Sequence, residues 1–264
     1  MSYQLPPNTQ LIAHRGNSGP APENTHSAIE QAITLEVDMV EVDINLSHDG
    51  VPVLIHNSTL DHTTNGQGNV TEHTLSELKK LDVGGWKAPE FVGERILTLY
   101  DVIDLTRNRM PLNLDLKTMR ALPSTLKAVR EMNVLNEVVI SGCTQDCLKT
   151  IQSREPSLTV LLNLDDALEQ LAFTGPAAMY RSRCLAVAEQ VGAVGINIAH
   201  VFVDRLLVQQ AHQKGLSVWV WTVDDEERVQ ELLGMGVDSI TTNWPEKMMP
   251  IIKGLKVGVK RGEQ

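Results

Sequence analysis

The sequence predicts a parallel α/β fold in which eight strands alternate with helices and close on themselves. Three observations carry that prediction. From residue 112 onward, short β-branched runs alternate regularly with amphipathic helical patterns, which is how a parallel sheet reads. The whole chain of 264 residues fits one large barrel, and no composition break divides it, so a single domain over 1–264 is expected. No glycine-rich phosphate loop follows any strand, which weakens the alternative of an open doubly wound sheet. The expected class is therefore the TIM (β/α)8 barrel.

The elements follow in order. A short apolar strand at 11–13 runs into His14-Arg15-Gly16, and a Gly/Pro-rich loop at 17–22 leads to Glu23-Asn24-Thr25. Asn24 or Thr25 can cap a helix carrying Ala28, Ile29, Ala32, Ile33 and Leu35 at helical spacing. Next comes a strand at 40–44. Side chains alternate in a strand, so Glu41 and Asp43 share one face, and Val40, Val42 and Ile44 take the apolar face against the helices. The polar turn Ser47-His48-Asp49-Gly50 is too short for a crossover, so a strand at 51–55 returns antiparallel and brings His56 roughly opposite Glu41. Residues 57–95 are polar and turn-rich, an insertion with one short helix at 75–81, and a helix at 97–106 follows. Further strands are expected at 112–116, 138–141, 160–163, 195–198, 218–223 and 239–242. Helices fall between them at 122–132, 145–153, 165–173 with 183–191, 203–214 and 225–233.

Composition excludes several functions. A net charge of −10 argues against sequence-independent nucleic-acid binding, which needs a basic face. An anionic substrate stays compatible, because one bound metal inverts the sign of a site. The first ten residues have neither a basic flank nor an apolar core, and no apolar run approaches the roughly 18 residues of a membrane span. A cytoplasmic protein with no membrane span is expected, its oligomeric state left open. Cys143, Cys147 and Cys184 are odd in number and lack zinc-type spacing, so reduced thiols are expected. Asn57-Ser-Thr59 and Asn69-Val-Thr71 match the glycosylation pattern, which without a secretion signal is coincidence.

In such a barrel the chemistry sits at the carboxyl ends of the strands. There this chain places His14 and Arg15, Glu41 and Asp43, Asp115 and Lys117, Trp221-Thr222, and Thr242-Asn243. Taken singly each has a plain structural reading: a histidine after a strand, a same-face ion pair, a packed tryptophan. His26, His48, His62, His73, His200 and His212 are read as structural or surface residues. Three converging carboxylates repel unless a cation sits among them, and an oxygen-loving ion, Mg²⁺ or Ca²⁺, suits the ligand set better than zinc. Arg15 and Lys117 suit anionic oxygens, and with the acids they make a set for a phosphoryl group. His14 and His56 supply the two proton transfers that hydrolysis at phosphorus needs near neutral pH.

These residues resemble a known family. His14-Arg15-Gly16, Pro22-Glu23-Asn24-Thr25, Glu41-x-Asp43 and His56 are similar to the motifs of the glycerophosphodiester phosphodiesterases, and the likeness covers nearly the whole chain. Thr63-Thr64-Asn65-Gly66-x-Gly68 resembles that family's insertion, and Val220-Trp221-Thr222-Val223 and Ile240-Thr241-Thr242-Asn243-Trp244-Pro245 its last two strands. The resemblance implies a TIM barrel, a divalent metal and hydrolysis of glycerophosphodiesters to sn-glycerol 3-phosphate and an alcohol. It implies Glu41, Asp43 and Asp115 as metal ligands, and His14 and His56 as the acid/base pair. Arg15, Lys117 and Trp221 would bind the substrate, and Glu23 would brace the site. The chain departs from the family's usual residues at Asn57 (for Asp), His62 (for Arg), Asp115 (for Glu), Asp224 (for Asn) and Asn243 (for Asp). Two other activities stay open. One is a lysophospholipase D, which needs an apolar patch from Trp86, Phe91, Tyr100 and Phe202. The other is a barrel that binds phosphodiesters without turnover.

Overall fold

The computed structural model describes residues 8–164 and 166–259. Most of the N-terminal start, and Asp165 where the sixth helix is expected to begin, lie outside them. The strands β1 (Gln10–His14), β2 (Met39–Leu46), β3 (Pro52–Leu54), β4 (Leu112–Leu116), β5 (Val138–Cys143), β6 (Thr159–Asn163), β7 (Gly195–Ala199), β8 (Ser217–Trp221) and β9 (Ser239–Thr242) lie in the order β1-β9-β8-β7-β6-β5-β4-β2-β3 with a further pairing of β1 to β2, and the fold is a (β/α)8 barrel with β3 as an antiparallel extra strand. The pairing of β1 with β2 joins the two ends of the parallel run and excludes the open sheet. The described residues form two compact units, one within 13–138 and one from 8–12 and 139–259.

Strand β1 (Gln10–His14) delivers the chain to a tight loop in the 13–138 unit, and α1 (His26–Thr34) follows. Thr25 caps α1 by accepting from the Ala28 N–H, and Ala28, Ile29 and Ala32 are buried. Such a cap contributes about 1 kcal/mol. Gly16 has φ +80°, and a Cβ there would lie 2.6 Å from the Ala28 carbonyl carbon, so the loop can turn onto α1 only with glycine. Next come β2 (Met39–Leu46) and β3 (Pro52–Leu54), paired Ile44 to Leu54. The Ile55 N–H donates to the Asp43 carbonyl, so the register sets His56 beside Val42, one residue from the place expected.

The insertion contains α2 (Leu75–Leu78) and two single 3₁₀ turns, with its own apolar centre of Val53, Ile55, Leu60, Val70, Leu78, Val83 and Ile96. Truncating a residue such as Leu78 would cost about 2–5 kcal/mol. The helix expected from 97 starts later, as α3 (Leu99–Thr106), because the Leu97 carbonyl is taken by the Leu54 N–H and Thr98 forms a capping box with Asp101. Then β4 (Leu112–Leu116) runs parallel to β2 with Asp43 opposite Asp115, and α4 (Leu122–Glu131) follows.

The second unit continues with β5 (Val138–Cys143), α5 (Gln145–Arg154), β6 (Thr159–Asn163), α6 (Asp166–Thr174) and α7 (Ala177–Gln190). It ends with β7 (Gly195–Ala199), α8 (Arg205–Gln213), β8 (Ser217–Trp221), α9 (Glu226–Met235), β9 (Ser239–Thr242) and α10 (Pro245–Val259). Helix α7 starts six residues before the expected 183, while α8 starts late because a 3₁₀ turn at His200–Phe202 precedes it and Asp204 caps it. Helix α10 was not expected. The cysteine reading is corrected in part: the end of β5 and the first turn of α5 bring the Cα atoms of Cys143 and Cys147 to 5.1 Å, and the two form a disulfide. Cys184 is free and buried.

Two of the expected departures are one feature. Asp224 Oδ1 accepts from the Asn243 backbone N–H at 2.9 Å, and Asp224 Oδ2 from the Asn243 side-chain amide at 2.6 Å. The acid at 224 and the amide at 243 make one hydrogen-bonded pair.

Candidate active site

The site is built on the polar face of β2. Because side chains alternate, Glu41, Asp43 and Asn45 leave the strand together, and all three are buried, at 3 %, 0 % and 5 % exposure. The parallel register with β4 adds Asp115 beside Asp43. One oxygen from each of Glu41, Asp43 and Asp115 lies within 4.8 Å of the others.

Asp43 is the most heavily held. Lys117 Nζ lies 2.9 Å from its Oδ1, and Arg15 Nε lies 3.1 Å from its Oδ2. The Asn24 amide donates to Oδ2 at 2.7 Å and accepts from the Asp43 backbone N–H at 3.1 Å. Asn24 adopts φ +59°, a conformation asparagine tolerates, and its own N–H donates to the Arg15 carbonyl. Burial raises the Asp43 pKa, but Lys117 and Arg15 outweigh it, with smaller contributions from His56 and His14, and hold the carboxyl at about 2.

Its neighbours differ. Burial, then the charges of Asp43 and Asp115, push Glu41 well above the usual carboxylate range. Burial also raises Asp115, only partly opposed by Lys117. Glu41 Oε2 accepts the Arg15 backbone N–H at 2.8 Å and has His14 Nε2 at 3.9 Å, while Oε1 is buried with no hydrogen-bond partner. Lys117 Nζ bridges Asp43 and Asp115, the second at 3.2 Å. Its pKa is raised because these acids outweigh its burial. Arg15 Nη1 donates to Glu23 Oε1 at 2.8 Å, so Glu23 holds the arginine while its Nη2 keeps no partner among the described residues.

The two histidines come from separate places. His14 ends β1 beside Glu41, and His56 follows β3, where its charge bears on Asp43 and Asp115. His56 Nδ1 lies 2.7 Å from Asn57 Oδ1. Seven of the eight expected site residues, His14, Arg15, Glu41, Asp43, His56, Asp115 and Lys117, therefore gather in one unit. Trp221 belongs to the other unit, at the carboxyl end of β8, with its indole N–H buried and without a hydrogen bond among the described residues. Sequence reasoning missed the role of Asn24 as a partner of Asp43 and passed over Asn45. The second was open to the same period-two argument that paired Glu41 with Asp43.

The aromatic residues considered for a lipid substrate have local partners of their own. Trp86 donates to the Val83 carbonyl in the insertion, and the Tyr100 hydroxyl to Glu131. Phe202, in the other unit, stacks edge-on against Phe173 at 4.6 Å.

The motif set on this scaffold decides the family: the family model of the glycerophosphoryl diester phosphodiesterases matches residues 14–247. The chain belongs to that family. It is an enzyme of the phosphoric diester hydrolase class, a glycerophosphodiester phosphodiesterase. A glycerophosphodiester phosphodiesterase of Caldanaerobacter subterraneus is 34% identical over 251 residues, 93% of this chain and 98% of that protein. Among solved structures, a phosphodiesterase of Oleispira antarctica in complex with the product sn-glycerol-3-phosphate matches with TM-score 0.82 and 29% identity. It covers 93% of this chain and 97% of its own. A glycerophosphodiester phosphodiesterase of Agrobacterium tumefaciens matches with TM-score 0.76 and 27% identity, over 91% of this chain and 98% of its own. Among the described residues no helix is long and apolar enough to cross a membrane.

Proposed function

We propose that this chain hydrolyses glycerophosphodiesters to sn-glycerol 3-phosphate and an alcohol, with one divalent cation held by Glu41, Asp43 and Asp115 and with His14 and His56 moving the protons. The observation that carries the reading is a charge imbalance. Arg15 and Lys117 neutralise Asp43 and approach Asp115 and Glu23, but no lysine or arginine side-chain nitrogen lies within ion-pair distance of Glu41 among the described residues. Its Oε1 is an orphaned buried acceptor inside a cluster of three acids. An oxygen-only ligand set of this kind fits Mg²⁺ or Ca²⁺. When bound, such an ion supplies positive charge against the phosphoryl oxygens.

The protein's own groups do the rest. The free Nη2 of Arg15, and Lys117 on the far side of Asp43, turn the non-bridging oxygens toward the acids. Trp221, at the carboxyl end of β8, is a further substrate-binding residue in this reading. One histidine takes the proton of the attacking oxygen, water or the substrate's adjacent hydroxyl, and the other protonates the departing alkoxide. The chain works as one domain over 1–264 with its insertion at 57–95, and a cytoplasmic location belongs to the same reading.

The test is turnover of glycerophosphocholine, read as sn-glycerol 3-phosphate, beside lysophosphatidylcholine and with chelator or added Mg²⁺ or Ca²⁺. Metal-dependent release from the first substrate is expected. Full activity in chelator, or release from the lysophospholipid alone, would overturn the reading.

A further inference from the structure

We propose that Asn45 and Asn57 are positioning residues that together fix the ring of His56, with Asn57 dictating which imidazole nitrogen carries the proton. The inference rests on His56 being catalytic. His56 lies just beyond β3, past the last ladder pair, so the strand itself does not orient its ring. Two amides do so instead. Asn45 leaves β2 on the same face as Glu41 and Asp43. Its Nδ2 donates to the Asn57 carbonyl at 3.2 Å, and its Oδ1 accepts the Leu46 N–H at 3.2 Å. The backbone of residue 57 is thereby tied to the strand that carries the acids. The Asn57 side chain then turns back, with Oδ1 at 2.7 Å from His56 Nδ1.

An amide oxygen only accepts, so Nδ1 must be the protonated nitrogen. In the neutral ring the lone pair is left on Nε2, which has no partner among the described residues and is open to a reacting atom. The choice of an uncharged orienting group follows from the surroundings. The ring lies within electrostatic reach of Asp43 on β2 and Asp115 on β4, and Glu23 of the β1 loop lines the same cleft. An amide fixes the tautomer without adding another negative charge; an aspartate would make the same bond and hold the imidazolium more tightly.

The experiment uses the full chain with a saturating divalent ion and glycerophosphocholine. Asn57→Leu removes the acceptor, and kcat is expected to fall about 10–100-fold with KM within about twofold, comparable to losses of supporting groups elsewhere. Asn57→Asp keeps an acceptor and restores most of kcat, but moves the His56 limb of the kcat–pH profile upward by about one unit. Asn45→Val shifts kcat in the same direction as Asn57→Leu by a smaller factor. Nitrogen-15 spectra of histidine in the unmodified protein are expected to show His56 protonated at Nδ1, a readout that requires no variant to fold. A resting Nε2–H tautomer, a native kcat in Asn57→Leu, or an unmoved pH limb in Asn57→Asp would each overturn the inference. Should His56→Ala turn over normally, the catalytic reading itself fails. A dead His56→Ala beside a native Asn57→Leu removes only the positioning role.

Discussion

Asp43 and Asp82 are two carboxylates of the same compact unit, both held below the usual carboxylate range, by opposite means. Asp82 sits in the insertion, where its oxygens take the backbone N–H groups of Gly84 at 3.1 Å, Gly85 at 2.7 Å and Gly93, with Arg95 3.9 Å away. The Gly85 and Gly93 amides are the leading causes of its lowered pKa. Asp43 is fully buried and held by Lys117 and Arg15 against its own desolvation, with two more acids beside it. Neutral backbone dipoles satisfy one carboxylate and leave nothing over. Side-chain cations satisfy Asp43 but not the cluster, so Glu41 keeps a raised pKa and a buried, unpartnered oxygen. The first arrangement folds a loop, and the second leaves a buried acceptor without a partner.

The largest way to test that contrast is at the chemistry. His14→Ala and His56→Ala are each expected to lose about 10²–10⁴ in kcat for glycerophosphocholine while circular dichroism and thermal unfolding stay native. Normal turnover by both would place the reaction elsewhere. Next in size is metal stabilisation. A divalent ion at about 100 times its Kd adds about 2.7 kcal/mol to unfolding, read as a rise in Tm over chelated protein. Asp82→Asn should keep that rise and Glu41→Gln should lose it, and equal rises in both would dissolve the distinction between the two carboxylates.

A smaller effect is expected at Asn24. Asn24→Gly permits the positive φ but removes both hydrogen bonds to Asp43, and divalent-ion affinity measured by calorimetry should weaken about 10–100-fold. Unchanged affinity would show that Lys117 and Arg15 suffice to place Asp43. The smallest effect belongs to Asp82. Its folded pKa is depressed, so the stability it contributes is present above the unfolded value of about 3.9 and is lost as pH falls through the folded value. Asp82→Asn should lower Tm at pH 7, with the difference from the native protein closing toward pH 3. A gap that persists in acid would point to the amides' geometry rather than to the charge.

Much of the site was legible because strand periodicity is local. Glu41 and Asp43 share a face whatever surrounds them, and the turn at 47–50 commits the chain to a hairpin. The same rule applied one step further reaches Asn45. What escaped were choices among partners. Asn24 could bond to its own helix, yet Thr25 caps α1 and Asn24 turns to Asp43. Asp224 and Asn243 read as separate departures until they were seen bonded to each other. The disulfide of Cys143 and Cys147 depends on the angle at which α5 leaves β5.

The sequence alone determined the alternation of strands and helices, the fold class, and the shared face of the acids, because each follows from backbone periods and steric rules acting over a few residues. Only the tertiary structure decided which oxygen is satisfied and which is not. Desolvation and charge pairing are properties of neighbours brought together from β1, β2 and β4. The unsatisfied oxygen of Glu41 is left over where Arg15 and Lys117 both pair with Asp43.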